Sequence, residues 1–309
     1  MVLSYFFMNL YIDPLNYIRA NTASHFSSER SLKSRMIEEN NNYDGIIFGT
    51  SKTAFIAPED IITDDKILNA SFAGAKPEEI LMFLQEKKPK VRWVAIGFDW
   101  LMFNERDWPY VEMDKTDKLF SYENSEVFSY LMSSSTTLYS IKTIIKSIRH
   151  NDPKYTEHGA RSTKEKKAKH STVAVERGRH YYSLVLSKEK VFFTDYRVSK
   201  RRLEVVSKIQ KWATKNNIKL VGWMNPQKQD ILNLLEFQHN QEILSLPDQL
   251  SQRIYNFKDV SKSYPQKKHY FRWDPDHYTR NLASQFFNKD IIPLIHSSKK
   301  STSPLQSNK

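Results

Sequence analysis

The sequence predicts an α/β fold, a three-layer α/β/α sandwich around a central, mostly parallel sheet. Short runs of continuously apolar residues alternate with amphipathic segments of helical periodicity. Strands buried on both faces of a parallel sheet have this pattern. Three of the seven glycines, Gly49, Gly74 and Gly97, lie at or just after the ends of the first three predicted strands. Ligands bind at that edge of an open α/β sheet, so the same residues indicate a site.

The predicted elements follow one another in a regular order. Strands are expected over residues 44–49, 66–72, 91–100 and 218–226, and helices over residues 76–89 and 199–217. Pro77 in the first turn of the first helix, followed by two glutamates, is typical of a helix start. In the second helix Leu203, Val206 and Ile209 recur at the spacing of one helical face.

We expect one α/β domain over residues 26–296, with an insertion at about 105–195 where the alternation is lost. Within the insertion, residues 125–149 look helical and the stretch "HYYSLVLSKEKVFF" is ambiguous. The tail over residues 297–309 is polar and is predicted to be disordered.

Residues 1–25 are interpreted as an N-terminal apolar arm or as the remnant of a membrane anchor. The first twelve residues, "MVLSYFFMNLYI", are apolar, but a membrane span needs about 20 residues. They also lack the basic start and the small-residue cleavage site of a signal peptide.

Composition excludes several classes of protein. The formal charge is +12, but many cations lie in one stretch, Lys154 to His170, and the others are scattered. Without a nucleic-acid-binding motif, this stretch is interpreted as a solvated basic loop, and no nucleic-acid partner is expected. An anionic polymer or membrane surface would also suit the charge.

The absence of cysteine excludes disulfides, thiolate zinc sites and cysteine nucleophiles.

A candidate nucleophile lies in "DGIIFGTSKTAF", where a buried strand leads directly into Ser51. A serine nucleophile needs a base and a group that orients the base. His277 is the best candidate base, and Asp274, three residues earlier in a turn opened by Asp-Pro, could orient it. Asp276 is an alternative orienting residue, although its side chain is expected to point elsewhere. Asp274 could also serve only as the cap of a helix starting at residue 275.

Four sequence blocks together resemble the SGNH hydrolase superfamily, in particular its bacterial membrane-anchored branch linked to cell-surface polysaccharide acylation. The blocks are "FGTSKTAF", "NASFAG", "VAIGFDWLMF" and "DPDHY", and "YIDPLNYI" is similar to the segment that follows the anchor in that branch. The resemblance implies Ser51 as nucleophile, His277 as base and Asp274 as orienting residue. It also implies that the backbone amides of Ser51 and Gly74 bind the oxyanion, with Thr50 beside them.

One position departs from that pattern. Active members often carry asparagine as a further oxyanion donor where this chain has Asp99. A carboxylate facing the oxyanion would repel it, and losing one donor typically costs about 100- to 1000-fold in rate. Either Asp99 points away, with Asn104 or a backbone amide substituting, or the site is weakened.

The resemblance implies a serine esterase or O-acyltransferase acting on an acylated, for example O-acetylated, saccharide or polysaccharide. It implies a place in the cell envelope, with a cytoplasmic place as the alternative, and a membrane-bound partner that donates the acyl group. No cofactor and no metal site are expected, because no second histidine lies four residues from His277 and no dinucleotide fingerprint follows a strand. The alternative function is a catalytically lapsed domain that binds a glycan or a partner, which Asp99 favours.

Overall fold

A central five-stranded sheet organises the computed structural model of the chain. The structure describes residues 2–22, 29–105, 124–149, 153–162, 172–194, 196–237, 241–272, 274 and 276–297. The strands are β1 (Gly45–Gly49), β2 (Ile67–Asn69), β3 (Trp93–Phe98), β4 (Lys219–Met224) and β5 (Asn256–Asp259). All neighbouring strands pair in parallel, in the order β2-β1-β3-β4-β5. This is the flavodoxin-like order.

Helices cover both faces of the sheet, which confirms the predicted three-layer α/β/α class. They are α1 (Val2–Ile12), α2 (Glu29–Glu39), α3 (Pro77–Lys87), α4 (Asn124–Met132), α5 (Ser134–Arg149), α6 (Thr172–Phe193), α7 (Lys200–Lys215), α8 (Gln229–Phe237), α9 (Gln241–Ser251), α10 (Arg280–Phe286) and α11 (Ile292–His296). One face packs against α2, α3, α7, α8 and α9, and the other against α10 and α11.

Alternating side chains of the strands supply two separate cores. Ile46 and Phe48 of β1 enter the larger core, together with Phe83 of α3. Ile47, between them, faces the opposite core, where it lies with Phe286 of α10. Because successive strand residues point to opposite faces, a strand buried on both sides must be apolar throughout. This accounts for the unbroken apolar runs in the sequence.

The predicted strands and helices are confirmed, with ends shifted by a few residues. The structure also contains β5, a strand that the sequence did not predict. Its sequence, "NFKD", has no continuous apolar run, and its residues are half-buried or exposed at the edge of the sheet. The ambiguous stretch in the insertion belongs to α6. The described helices of the insertion are α4, α5 and α6. The tail beyond residue 297 and the second half of the basic stretch, residues 163–170, lie outside the described residues.

The N-terminal arm is helical and packs against the insertion. The side-chain amide of Asn9 in α1 donates to the carbonyl of Leu131 at 2.8 Å, and Ser140 Oγ donates to Asn9 Oδ1 at 2.9 Å. Tyr130 OH donates to Asp13 Oδ1 at 2.8 Å, just after α1 ends. These buried contacts connect α1 to α4 and α5. Among the described helices, none is long and apolar enough to cross a membrane.

Two of the strand-end glycines make room for one side chain rather than for a ligand. Gly49 pairs with Gly97 across β1 and β3. Thr53 packs over both, so an added Cβ would lie 2.3 Å from Thr53 Oγ1 at Gly49 and 2.4 Å from it at Gly97. Gly74 differs, because it lines a cavity at this edge of the sheet together with Ser51.

Candidate active site

Ser51 lies at the carboxyl edge of the sheet, two residues after the end of β1. The chain turns there into a short 3-10 helix, Thr53–Phe55, that packs against β1. The side chain of Ser51 is half-buried. A strand that ends at this edge therefore holds a serine hydroxyl where ligands bind in open α/β sheets.

His277 and Asp274 form a hydrogen-bonded chain with this serine. Ser51 Oγ lies 2.8 Å from Nε2 of His277, and Nδ1 of His277 lies 2.9 Å from Oδ2 of Asp274. Both distances lie within the hydrogen-bond reach that a nucleophile, its base and the group orienting the base need. The structure thus brings the three residues together in the expected order, although 226 positions separate Ser51 from His277 in the chain.

Asp274 has a structural contact as well as its contact with the imidazole. Its Oδ1 accepts the backbone amides of Asp276 at 2.9 Å and His277 at 3.1 Å, which closes the turn. The next helix begins at Arg280, with Thr279 as its N-cap residue. The interpretation of Asp274 as only a helix cap is therefore wrong: it closes a turn with one oxygen and orients His277 with the other.

Neighbouring carboxylates favour the charged form of His277. Burial lowers its pKa, but the hydrogen bond to Asp274 and the negative charges of Asp276 and Asp274 outweigh burial, so the pKa is raised above its usual 6.5. For Asp274, burial raises the pKa, but the hydrogen bond and charge of His277 and the two backbone amides leave it lower than usual. The pair thus stabilises an imidazolium, the form that His277 would take on accepting a proton.

Aromatic packing fixes the imidazole ring from the side. Phe55, in the 3-10 helix after Ser51, meets the His277 ring edge-on with centroids 5.7 Å apart. Phe271 supports Phe55 in turn, at 5.4 Å and in the same kind of geometry. The segment that carries the serine therefore also packs against the base.

A cavity of about 230 Å³ opens in front of Ser51. Its lining consists of Thr50, Ser51, Gly74, Ala75, Lys76, Leu101, Met102, Glu189, Arg202 and Asp276. Gly74 has φ of 65°, a left-handed conformation that favours glycine. In the described part of the chain, no hydrogen bond engages the backbone amide of Ser51 or of Gly74. Both expected oxyanion donors thus border the cavity.

Asp99 is buried beneath the serine and contacts a cation. Thr50 Oγ1 donates a hydrogen bond to Asp99 Oδ2, and Asp99 Oδ1 lies 3.3 Å from the ammonium of Lys52. Asp99 is not among the residues that line the cavity. The carboxylate therefore turns toward a cation and away from the cavity.

Lys52 connects Asp99 to the turn that carries His277. Its ammonium lies 2.6 Å from Asp276 Oδ1 and donates to Gln227 Oε1 at 2.9 Å. Burial lowers the pKa of Lys52, but the charges of Asp276 and Asp99 outweigh it and raise the pKa, so the ammonium stays charged. Asp276 thus points away from His277 to Lys52, as expected for a residue that does not orient the base.

Asn104 does not reach the site. Its side-chain amide donates to the backbone carbonyl of Phe192 at 3.3 Å, and its backbone pairs with Val198. Its role is to tie the chain after β3 to the end of α6. The expectation that Asn104 substitutes for the missing oxyanion donor is therefore not supported.

Sequence reasoning missed Lys52 and Glu189. Lys52 directly follows the candidate nucleophile, but a lysine in a turn is ordinarily a solvated residue, and only its near-complete burial at 3% exposure reveals its role. Glu189 is contributed by α6, far from any recognised block, and only the fold brings it to the cavity.

Comparisons with known proteins add no family assignment. No protein-family model and no curated protein matches this chain. Among the described residues, no group of three or more histidine, aspartate and glutamate side chains is placed to hold a metal ion. The geometry around Ser51 is therefore the main indication of function.

Proposed function

We propose that the protein is an SGNH-like serine esterase or O-acyltransferase that acts on an acylated saccharide. The observation that carries the proposal is the hydrogen-bonded chain of Ser51, His277 and Asp274, with distances of 2.8 and 2.9 Å at the edge of the sheet. The family itself remains a proposal that rests on the resemblance of the sequence blocks.

In the proposed first step, Ser51 Oγ attacks the carbonyl carbon of the ester while Nε2 of His277 takes the serine proton. Asp274 stabilises the imidazolium that forms. The backbone amides of Ser51 and Gly74 donate to the oxyanion, and they need not reorganise during the reaction. The tetrahedral intermediate collapses when His277 returns its proton to the departing alcohol, leaving the acyl group on Ser51.

In the second step an acceptor hydroxyl attacks the acyl group on Ser51. His277 removes the proton of that hydroxyl and then returns a proton to Ser51 Oγ as the ester bond to serine breaks. Water as acceptor gives hydrolysis. A sugar hydroxyl as acceptor gives O-acylation of a saccharide, and a membrane-bound partner would then supply the acyl group to Ser51.

The size of the cavity favours a short acyl group. Its volume of about 230 Å³ is below the roughly 300–1,000 Å³ of pockets that enclose drug-sized ligands. Leu101 and Met102 give it an apolar wall, whereas Lys76 and Arg202 give it polar surface. This combination suits an acetyl group next to a hydroxylated ring and leaves little room for a long acyl chain.

Hydrolysis of a simple aryl acetate tests the proposal. We expect turnover by the wild type and its loss, by at least about 1000-fold, in Ser51→Ala. Ser251→Ala, which changes an exposed serine on α9, serves as the matched control and should keep the wild-type rate. A wild-type rate no higher than that of Ser51→Ala, with Asp99→Asn equally inert, would favour the alternative of a lapsed domain that binds a glycan or a partner.

We further propose that the protein works at the cell envelope, at a membrane surface. Of the large apolar side chains that are exposed in the described residues, most lie on α1, α4 and α5; among them are Leu3, Phe7, Tyr11, Phe128, Leu138 and Ile148. Lys142 and Lys146 are exposed on the same helix as Ile148. Apolar and basic side chains on neighbouring helices suit the interface of an anionic bilayer.

Binding to lipid vesicles tests this placement. We expect the protein to sediment with vesicles that contain phosphatidylglycerol and to bind less to pure phosphatidylcholine. Phe7→Glu and Ile148→Glu should each weaken binding about tenfold or more. Ile62→Glu changes a residue that is equally exposed, at 80%, but lies away from these helices, and it should have no effect. Absence of vesicle binding, or equal loss in all three variants, would favour the cytoplasmic alternative.

A further inference from the structure

Glu189 is a buried carboxyl group that the proposed chemistry leaves unused. It is 6% exposed and lines the cavity in front of Ser51. In the part of the chain that the structure describes, no hydrogen bond or ion pair engages its carboxyl group. Its carboxyl oxygens are therefore free to form a hydrogen bond with a ligand that enters the cavity.

The other polar side chains of the cavity differ in this respect. Thr50 donates to Asp99, and Asp276 pairs with Lys52. Arg202 donates to the backbone carbonyl of Asn104. Lys76 also has a partner. Of the acidic and hydroxyl side chains that line this cavity apart from Ser51, Glu189 is therefore the one whose hydrogen bonds remain to be made by a ligand.

The surroundings of Glu189 hold it in place. Three residues later, the carbonyl of Phe192 accepts the side-chain amide of Asn104, and Phe193 is buried in the larger core. Earlier in α6, Tyr182 OH donates to Asp230 of α8. These contacts fix both ends of the helical segment that carries Glu189, so its backbone is held at the cavity wall.

We propose that Glu189 binds a hydroxyl group of the saccharide acceptor and thereby forms the acceptor subsite beside Ser51. A hydroxyl group suits this position because it can donate to a carboxylate and accept from a protonated carboxyl group. A cationic ligand is disfavoured, since Lys76 and Arg202 line the same small cavity. The inference rests on the proposed function and deepens it: the insertion supplies α6, and α6 selects the acceptor.

Burial supports a hydroxyl ligand rather than a charged one. Burial first, and then the charge of Asp276, raises the pKa of Glu189 to about 8, although Lys52 acts in the opposite direction. Asp99 and Asp274 add to the increase. At neutral pH much of Glu189 therefore carries a proton that it can donate to a sugar oxygen.

Partition of the acyl group between water and glycerol tests the subsite. Wild type and variants turn over an aryl acetate in rising glycerol concentrations, and acetate and glyceryl acetate are quantified separately. We expect Glu189→Ala to raise the glycerol concentration for half-maximal transfer about tenfold, as the loss of one hydrogen bond predicts. Glu189→Gln keeps hydrogen-bonding capacity and should retain most of the transfer.

Lys188→Ala, an exposed neighbour on α6, is the matched control and should behave as the wild type. Three outcomes would overturn the subsite: no glyceryl acetate from the wild type, unchanged partition in Glu189→Ala, or the same effect in Lys188→Ala. Failure of the proposed function gives a different result, namely no acetate release above Ser51→Ala.

A binding measurement tests the role of Glu189 without depending on turnover. A mono-acetylated methyl glucoside is titrated into Ser51→Ala and followed by NMR. We expect saturable binding that weakens about tenfold when Glu189→Ala is added to Ser51→Ala. Equal affinity of the two proteins, or no binding by Ser51→Ala, would contradict the role of Glu189.

Discussion

Lys52 directly follows Ser51, the proposed nucleophile, and its ammonium lies 3.3 Å from Oδ1 of Asp99. The carboxylate that stands where active SGNH hydrolases often have asparagine is thus part of a buried ion pair. Asp99 does not line the cavity, and its carboxylate faces the ammonium of Lys52, which also contacts Asp276. The departure at Asp99 is therefore compatible with acyl transfer through Ser51.

Asp99→Asn should not accelerate the reaction. The substitution removes the charge that Lys52 pairs with and weakens the acceptor of Thr50, so we expect a lower rate of aryl acetate hydrolysis and lower stability. Removal of one partner of a buried ion pair costs about 3–5 kcal/mol. The loss should be smaller here because Asp276 still contacts Lys52, and urea unfolding measures it.

The double variant Lys52→Met/Asp99→Asn is the control for this interpretation. It removes both the cation and its partner, so it should be more stable than the sum of the two single losses predicts. An increase in rate in Asp99→Asn alone would show that the carboxylate opposes the oxyanion after all.

The activity should depend on pH through the neutral form of His277. Since neighbouring carboxylates raise the pKa of His277 above 6.5, kcat/KM should rise with pH through an inflection above that value. Asp276→Asn removes one of those charges and should move the inflection to lower pH. A pH profile of aryl acetate hydrolysis measures both. An inflection that does not move, or that rises in Asp276→Asn, would contradict the electrostatic role of Asp276.

Gly74→Val should remove most of the activity and keep the fold. The residue is exposed, so the core does not change, but φ of 65° strains any side chain and displaces the amide. Loss of one oxyanion donor predicts a decrease of about 100- to 1000-fold in kcat. Circular dichroism confirms that the variant is folded, and normal turnover would exclude Gly74 from the site.

Glu189→Gln should be more stable than the wild type at high pH. Because the folded-state pKa is raised from 4.5 to about 8, the protonated group favours the folded state fully below about pH 4.5. That contribution is lost as the pH rises through about 8. The Tm advantage of Glu189→Gln should therefore grow by several degrees, roughly, between pH 5 and pH 9. Lys188→Ala should show no such trend.

Local patterns in the sequence predict much of the fold and the core of the site. Unbroken apolar runs predict β1, β3 and β4 because strands buried on both faces must be apolar throughout. The Asp-Pro turn places Asp274 next to His277, since both lie within four residues of each other. In contrast, β5 has a half-exposed edge sequence that carries no such pattern.

The parts of the site that could not be predicted from the sequence depend on tertiary contacts. Glu189 is brought to Ser51 by the packing of α6, and Lys52 is identified by its burial between Asp99 and Asp276. Neither relation has a short-range pattern, because the partners lie in segments far apart along the chain. Asn104 illustrates the opposite case, since it follows the recognised block closely but points to α6.

Covalent labelling at Ser51 tests the central claim most directly. The wild type is treated with a fluorophosphonate, and the modified peptide is identified by mass spectrometry. We predict one adduct on Ser51, its absence in Ser51→Ala, and labelling at least about 100-fold slower in His277→Ala, because the hydroxyl is a weak nucleophile without its base. An unmodified Ser51 in the folded wild type, or equal labelling in His277→Ala, would contradict the account.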